Sequence, residues 1–422
     1  MVKSIRTSEP RLLLIVWALI IVFTGSFFRL RVEDQVPSVD WLIIIQLVVC
    51  ALGIAIAMPQ LLLLKRRPAC LWFVALYVGA IGVTLPSSIH PLMSMGYFVL
   101  LAGGILTTLA VVQQGDSQAD LLGKEAFLAG VLIFCLLKDV AIAFSIGGES
   151  GSGRLGISDS ANELSLLAAV VFIMQLGRQR HPGLRYALLG FCLVIMALAE
   201  SRGSMVSLVI GAAVYFWKAA DARQERPMVL KLAASSLVLA ALFGGILLYS
   251  ASFPGIRSAV RAVNRNEDTH SLESLTTGRT VIWDTALKIL HTETLSPLIL
   301  GNGYSLSRLV LNQNHRPDDP YFAHAHNTIL DSLISVGIVG TVALAGLCCI
   351  ALIAVAQRKK RSAHPISSRA AAVICAIIAT FPTESYLSMK LSWMHIAFVF
   401  YLCICYGRRK SSADLMRNMH SP

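Results

Sequence analysis

The stretch WLIIIQLVVCALGIAIAMPQLLLLKRR, residues 41–67, decides the fold. Its apolar part has the length of about 20 residues that a helix needs to cross a bilayer. A helix satisfies its own backbone hydrogen bonds, so it is the element suited to lipid. The stretch ends in Lys65-Arg66-Arg67, and basic residues beside a span mark the cytoplasmic side. These residues therefore predict a transmembrane helix that ends in the cytoplasm.

The whole chain has the same character. Of its 422 residues, 55% are hydrophobic and 14% are charged, whereas a soluble domain has about 25% charged residues. The sequence predicts an all-α, polytopic membrane protein with about 12 transmembrane helices. We place the spans near 12–28, 41–63, 70–85, 92–113, 125–146, 161–177, 186–200, 204–220, 229–252, 328–356, 370–385 and 389–406.

Basic residues mark every second loop, which sets the orientation. The groups are Lys3, Arg6 and Arg11; Lys65 to Arg67; Arg178, Arg180 and Arg185; Lys218, Arg223, Arg226 and Lys231; Arg358 to Arg361; and Arg408 to Lys410, with the loop near Lys124 as the weak member. Both termini are therefore predicted to be cytoplasmic, and the first span is an uncleaved anchor. The net charge of +12 follows from this topology and does not indicate nucleic-acid binding.

One outer loop is long. We divide the chain into spans 1–9 (1–252), a periplasmic loop or cap (253–327), spans 10–12 (328–406) and a cytoplasmic tail (407–422). Within the cap, the spacing of apolar residues over 280–291 predicts a short amphipathic helix on the membrane surface. Residues 301–303, Gly-Asn-Gly, predict a tight turn.

The nine cysteines all lie in predicted spans, so no disulfide framework is expected in the cap. No paired-Cys, HExxH or Asp-x-Asp pattern is present. Candidate metal ligands, which are His315, Asp318, Asp319, His324 and His326, lack a metal-site spacing, and we expect no metal or cofactor.

Three polar motifs lie where the topology predicts the outer membrane boundary. They are residues 200–204 with Arg202, residues 278–280 with Arg279 at a helix N-terminus, and residues 324–327 with His326. A boundary arginine can also simply snorkel, and a histidine at a helix entrance can be structural. Together, however, two arginines suit a diphosphate, and a histidine can take a proton from a hydroxyl. The set predicts a reaction on a membrane-borne anion.

These motifs resemble the O-antigen ligase and polymerase superfamily, and the ligase branch in particular. The motifs are Ser201-Arg202-Gly203; Gly278-Arg279 with Trp283; Pro297 through Gly301-Asn302-Gly303-Tyr304; and His326-Asn327 before Gly337-x-x-Gly340-Thr341. The resemblance covers about 150–345 by motif and the whole chain by topology. A glycine usually follows the threonine in that branch, and here it is Val342.

The resemblance implies a fold related to membrane-embedded GT-C-type glycosyltransferases and a site at the periplasmic face of the inner membrane. It implies metal- and ATP-independent, inverting transfer of O-antigen from undecaprenyl diphosphate to a sugar hydroxyl of lipid A-core. By this resemblance His326 is the general base, and Arg202 and Arg279 bind the diphosphate. Further candidates for substrate binding are Arg154, Asn327, Tyr304 and Arg308, and Asn162 and Glu163 begin the sixth span.

Other functions stay open at this point. An O-antigen polymerase would use the same donor with a glycan acceptor, and a protein O-oligosaccharyltransferase is a third branch. From another class, a flippase or transporter for lipid-linked sugars would show charged or broken helices near the midplane and internal repeats. Lys138 is the main charge deep in a span, and no repeat is evident. A purely structural membrane protein would leave the three motifs unexplained.

Overall fold

A computed structural model describes residues 2–24, 41–62, 69–114, 118–146, 159–178, 181–199, 201–223, 279–314, 324–357 and 365–406. Within these ranges all regular secondary structure is helical. The helices are α1 (Val2–Thr24), α2 (Trp41–Leu62), α3 (Ala69–Thr84), α4 (Pro91–Gln113), α5 (Gln118–Ile146), α6 (Asp159–Gln175), α7 (Pro182–Ala199), α8 (Arg202–Arg223), α9 (Arg279–Thr292), α10 (Leu295–Leu300), α11 (Ser307–Gln313), α12 (Thr328–Ala356), α13 (Pro365–Ala379) and α14 (Trp393–Tyr406), with a 3₁₀ turn at Leu85–Ser87.

A helix overlaps each predicted apolar run, with clear differences in bounds at 370–385 and 389–406, except for the run 229–252, which lies outside the described residues. Among the described helices, α2, α4, α5, α7 and α12 are long and apolar enough to cross a membrane. The shorter apolar helices are α1, α3, α6, α13 and α14. The chain is thus a multi-pass membrane protein, and the number of about 12 crossings stays a prediction.

Proline sets the start of several helices. Pro91, Pro182 and Pro365 each open one, namely α4, α7 and α13. Proline suits the first helical position, because its missing N–H would have no partner there and its φ is already helical. Among the packed pairs, α2 lies against α4, α6 against α7 and α8, and α13 against α8.

The described part of the long loop, residues 279–314, carries three short helices. One side of α9 packs against α11 and the first turns of α12 in an apolar cluster of its own, formed by Ala286, Ile289, Val310, Leu311, Ala325 and Ile334. A helix therefore lies where the apolar spacing over 280–291 predicted one. Leu287, however, is 47% exposed and is not part of this apolar cluster.

The backbones of Gly301, in the turn at 301–303, and Gly337, in α12, lie against each other. Gly337 interrupts α12 with a φ of 61°, and a Cβ there would come within 2.4 Å of the Ile299 carbonyl. The break frees the carbonyls of Ile334 and Ser335, which accept the N–H groups of Asn302 and Gly303 at 2.9 Å each. The predicted turn at 301–303 therefore supplies the donors that the interrupted helix has lost.

The predicted span 370–385 is placed too late in the chain. Its helix, α13, ends at Ala379. Pro382 follows three residues later. If the helix continued through this proline, its ring would clash with the carbonyl one turn earlier, and it has no N–H to donate to that carbonyl. Residues 380–392 form a loop, and α14 starts at Trp393 rather than at 389. Arg369 consequently lies inside a helix, and Glu384 lies in the loop.

Arg369 forms a buried ion pair with Glu125. The pair lies near the helix ends that the topology predicts to face the cytoplasm. Nε and Nη2 of Arg369 donate to the two oxygens of Glu125 at 2.7 and 2.6 Å. The Tyr401 hydroxyl donates to the same carboxylate, and Arg369 also donates to the carbonyl of Leu176. This network joins α5, α13 and α14 with the end of α6.

The described cysteine thiols, which are Cys50, Cys135, Cys192, Cys348, Cys349, Cys375, Cys403 and Cys405, form no disulfides.

Replacing Arg369 with alanine is expected to destabilise the protein by about 3 kcal/mol, because buried Glu125 would lose its two short hydrogen bonds and keep only Arg178, 3.9 Å away, as a cationic partner. The measurement is the thermal unfolding midpoint of detergent-purified protein. Lys288→Ala is the control, because it removes an exposed pair with Asp284 that is worth about 0.3–0.5 kcal/mol. Equal midpoints for the two variants would contradict the assigned importance of the buried pair.

Gly337→Ala is expected to cost about 1–3 kcal/mol, since the left-handed backbone and the close Ile299 carbonyl both disfavour a Cβ. Gly346→Ala in the same helix is the matched control. A Cβ at Gly346 meets no atom within 4 Å, and alanine is the better helix former. Unfolding midpoints of the two variants should therefore move in opposite directions or differ by several degrees.

Candidate active site

The segment before α12 is tied to the loop between α13 and α14. Asn327 caps the helix, and its side-chain oxygen accepts the N–H groups of Ile329 and Leu330 at 3.0 and 3.1 Å. The backbone N–H of Asn327 donates to the Ser385 hydroxyl. The Thr328 hydroxyl donates to the carbonyl of Glu384 at 2.6 Å. The hydrogen bonds at this helix cap thus join two segments that are far apart in the sequence.

Ala325, which lies between the two histidines, is held on both sides. Its N–H donates to a carboxylate oxygen of Asp331 at 3.2 Å, and its carbonyl accepts the Trp283 indole N–H at 3.0 Å. Asp331 is fully buried and also accepts the hydroxyls of Ser307 and Ser388 at 2.6 and 2.9 Å. These bonds set the path of the His-Ala-His backbone.

The two histidine rings lie together above one carboxylate. Their centroids are 3.9 Å apart, and the backbone of His326 is left-handed, with a φ of 49°. One Glu384 oxygen, Oε2, is 3.7 Å from Nε2 of His324 and 3.5 Å from Nδ1 of His326. Both separations are longer than a usual hydrogen bond.

The other oxygen of the same carboxylate has two donors. Oε1 of Glu384 accepts Nη2 of Arg279 at 2.9 Å and the amide of Asn162 at 2.8 Å. We call Glu384, Arg279, Asn162, His324 and His326 the carboxylate cluster. The cluster joins α6, α9, the segment before α12 and the loop after α13.

Glu384 stays ionised in this setting. Burial alone raises the pKa of a carboxyl group. The close approach of His324 and His326 and the charge of Arg279 outweigh burial and lower the pKa of Glu384 to about 2. The cluster therefore holds a permanent negative charge at its centre at neutral pH.

The motif that carries Arg202 lies beside this cluster. Arg202 begins α8 and is exposed. A Cβ on the next residue, Gly203, would come within 2.7 Å of the Thr383 hydroxyl oxygen, and the Ser204 hydroxyl donates to the carbonyl of Asn162 at 3.2 Å. Of the three predicted site residues, the structure brings Arg279 and His326 to one carboxylate and the backbone of the Arg202 motif alongside.

The weaker candidates take other positions. Tyr304 is buried, and its hydroxyl donates to the carbonyl of Met389, which fits packing rather than contact with a glycan. Asn327 uses its side-chain oxygen as the helix cap. Arg308 is half-buried on α11. Arg154 lies outside the described residues, as do His315, Asp318 and Asp319 of the metal alternative.

Sequence reasoning overlooked Glu384. The residue lies within the predicted span 370–385, where it stands at the end of an apolar segment. An acidic residue at membrane depth is itself a functional signal, because it is costly there without a partner. From the sequence, Asn162 is recognisable only as a residue that begins the sixth span.

Three side chains of the cluster have metal-ligating atoms. Donor atoms of His324, His326 and Glu384 lie within 4.8 Å of one another, a spacing that a divalent cation can bridge. Arg279 already supplies a positive charge 2.9 Å from this carboxylate. The negative charge of Glu384 is therefore balanced within the described residues without a metal ion.

Two known proteins of similar sequence are named as polysaccharide ligases. The chain is 27% identical over 182 residues to a Rickettsia felis protein named "Putative polysaccharide ligase", covering 41% of this chain and 40% of the relative. It is 24% identical over 271 residues to a Rickettsia conorii protein of the same description, covering 60% of each. Each alignment thus spans less than two thirds of the relative.

A family model described as O-antigen ligase matches residues 186–345. The matched range contains Arg202, Arg279 and His326, and it ends before Glu384. The sequence resemblance to the O-antigen ligase family is therefore confirmed over residues 186–345 of this chain.

Proposed function

We propose that this protein is a glycosyltransferase of the outer face of the inner membrane. It transfers O-antigen polysaccharide from undecaprenyl diphosphate to a sugar hydroxyl of lipid A-core. His326 is the general base, and Arg279 and Arg202 bind the diphosphate. Both termini are cytoplasmic in this proposal.

One observation carries the proposal. A cation and a base that are distant in the sequence, Arg279 and His326, meet at a single buried carboxylate. The side chains of Arg279 and His326 are 20% and 15% exposed, whereas that of Glu384 is only 4% exposed. A substrate can therefore reach the arginine and the histidine, while the carboxylate stays behind them.

The reaction needs only these groups. His326 takes the proton of the acceptor hydroxyl, and the oxygen forms a bond to C1 of the first donor sugar. The bond from C1 to the diphosphate oxygen breaks, and its electron pair leaves with undecaprenyl diphosphate. Because the attack comes from the side opposite the leaving group, the configuration at C1 inverts.

The arginines stabilise the charge that grows on the leaving diphosphate. A guanidinium has five N–H donors in a planar fork, and Arg279 directs its Nη2 to Glu384. Its remaining N–H groups suit phosphate oxygens, which guanidinium binds bidentately. Arg202, at the exposed start of α8 beside the cluster, supplies the second cation. A diphosphate is already a good leaving group, so neither ATP nor a metal is required.

The transporter alternative receives less support. It expects a broken helix that offers free carbonyls to a substrate, and α12 is indeed broken at Gly337. The freed carbonyls of Ile334 and Ser335, however, accept N–H groups of the cap. Lys138, deep in α5, is paired with Asp139 at 3.0 Å. These polar groups make contacts within the protein that stabilise its fold.

A deletion strain tests the function. We expect lipopolysaccharide gels of cells lacking the protein to lose the long surface ladder, while polymer still accumulates on undecaprenyl diphosphate, because ligation is the missing step. Expression of the full chain should restore the ladder. Core that carries a single repeat, with no long polymer on the lipid, would instead identify a polymerase, and a ladder that persists unchanged would refute both assignments.

His326→Ala is expected to insert normally and to lower the transfer rate by about 10²-fold or more, as expected for loss of a general base. Transfer is measured with lipid-linked O-antigen and rough lipopolysaccharide in detergent. His291→Ala is the control, because this histidine is exposed near the end of α9. A His326→Ala protein with near-normal transfer would exclude the base role.

A further inference from the structure

A carboxylate that contacts both the base and the cation of a site can set the orientation of both side chains. Glu384 does so with its two oxygens separately, since Oε1 meets Arg279 and Oε2 meets His326. We propose that Glu384 is the positioning residue of this site. It fixes His326 with the Nε2 nitrogen directed to the acceptor, and it orients Arg279 toward the diphosphate. This inference rests on the proposed function.

The carboxylate is held in place before any substrate arrives. The backbone N–H of Glu384 donates to the carbonyl of Thr380 at 2.8 Å, and its own carbonyl accepts the Thr328 hydroxyl at 2.6 Å. The residue lies in the short loop between α13 and α14 and is buried. A rigid, dry carboxylate of this kind loses little freedom when it orients its neighbours.

The side of the ring that faces Glu384 decides which nitrogen is the base. Nδ1 of His326 faces Oε2, so the proton of the neutral ring lies on Nδ1, where it can be donated to the carboxylate. Nε2 then keeps its lone pair and is the atom that accepts the hydroxyl proton. The same logic applies wherever a carboxylate fixes the tautomer of a catalytic histidine.

Exposure distinguishes the two histidines. His324 faces the same oxygen, but its side chain is only 5% exposed, whereas that of His326 is 15% exposed. Only His326 is therefore well placed to meet an acceptor. His324 packs on the ring of His326 and limits its rotation.

During transfer the carboxylate also stabilises charge. When Nε2 of His326 takes the acceptor proton, the ring becomes an imidazolium beside Glu384. The new positive charge is then balanced by the carboxylate and lies near the leaving diphosphate. After the product leaves, the ring returns its proton to solvent and the starting state is restored. Among the described residues, the charged groups around His326 are Glu384 from the loop after α13 and Arg279 from α9, with His324 on its own segment.

Replacement of Glu384 by glutamine separates the two roles. The amide oxygen can still accept Arg279 and Asn162, whereas the amide NH₂ would face the rings and favour the wrong tautomer of His326. We therefore expect Glu384→Gln to lower kcat by about 10²-fold or more, with the KM for the donor changed less than about threefold. Glu384→Ala should lower kcat and also raise this KM, because Arg279 loses its partner. Glu384→Asp should recover part of kcat.

The assay uses the purified full-length protein with lipid-linked O-antigen and rough lipopolysaccharide. Glu293→Gln is the control, because this carboxylate accepts the Asn302 amide outside the cluster, and an amide oxygen can do the same. Unchanged kcat in Glu384→Gln, with His326→Ala inactive, would overturn the positioning role and leave the proposed function intact. A wild-type protein without transfer would overturn both.

Two further results would also overturn the positioning role. An equal loss of folded protein and of activity in all three Glu384 variants, seen as parallel falls in unfolding midpoint and kcat, would mean that Glu384 only supports the fold. Stoichiometric zinc in the purified protein, with loss of wild-type activity on chelation, would mean that the rings and the carboxylate hold a metal ion. We expect neither the parallel fall nor the metal dependence.

Discussion

An ionised carboxylate kept from water is stable only when donors and cations surround it. Glu384 is in this position, and its neighbours come from parts of the chain that share no local sequence pattern: Asn162 on α6, Arg279 on α9 and the histidines before α12. Since each partner must reach the carboxylate, this one requirement restricts how the cap can sit on the helices. The arrangement of the candidate site follows from it.

The segment around α13 carries charge at both ends. Arg369 near its start pairs with Glu125, and Glu384 in the loop just past its end pairs with Arg279. In the predicted topology these pairs lie on opposite sides of the membrane. A short apolar helix with a paired charge near each end has little freedom to slide along its axis, because a shift would pull one charge away from its partner. The helix is thereby held in register with its neighbours.

Patterns of neighbouring residues predict only part of this structure. Apolar length placed the helices, because crossing lipid imposes that length, and apolar spacing indicated a helix where α9 lies. The Gly-x-x-Gly-Thr motif pointed to α12, but not to the break at Gly337, whose reason is the contact with Gly301 of the cap. The end of α13 and the start of α14 differ from the predicted bounds, because apolar composition alone does not show that the helix stops before Pro382. The link between Arg279 and Glu384 depends on tertiary packing and has no local signal.

The position of Glu384 also bears on how such proteins can be recombined. The region that matches the O-antigen ligase family ends at residue 345, whereas the loop that supplies the central carboxylate lies beyond it. A chimera that takes only the matched region from this chain would inherit Arg279 and His326 but would depend on its host for the carboxylate that both contact. A chimera meant to keep this cluster intact therefore needs the cap and the last two helices to be transplanted together.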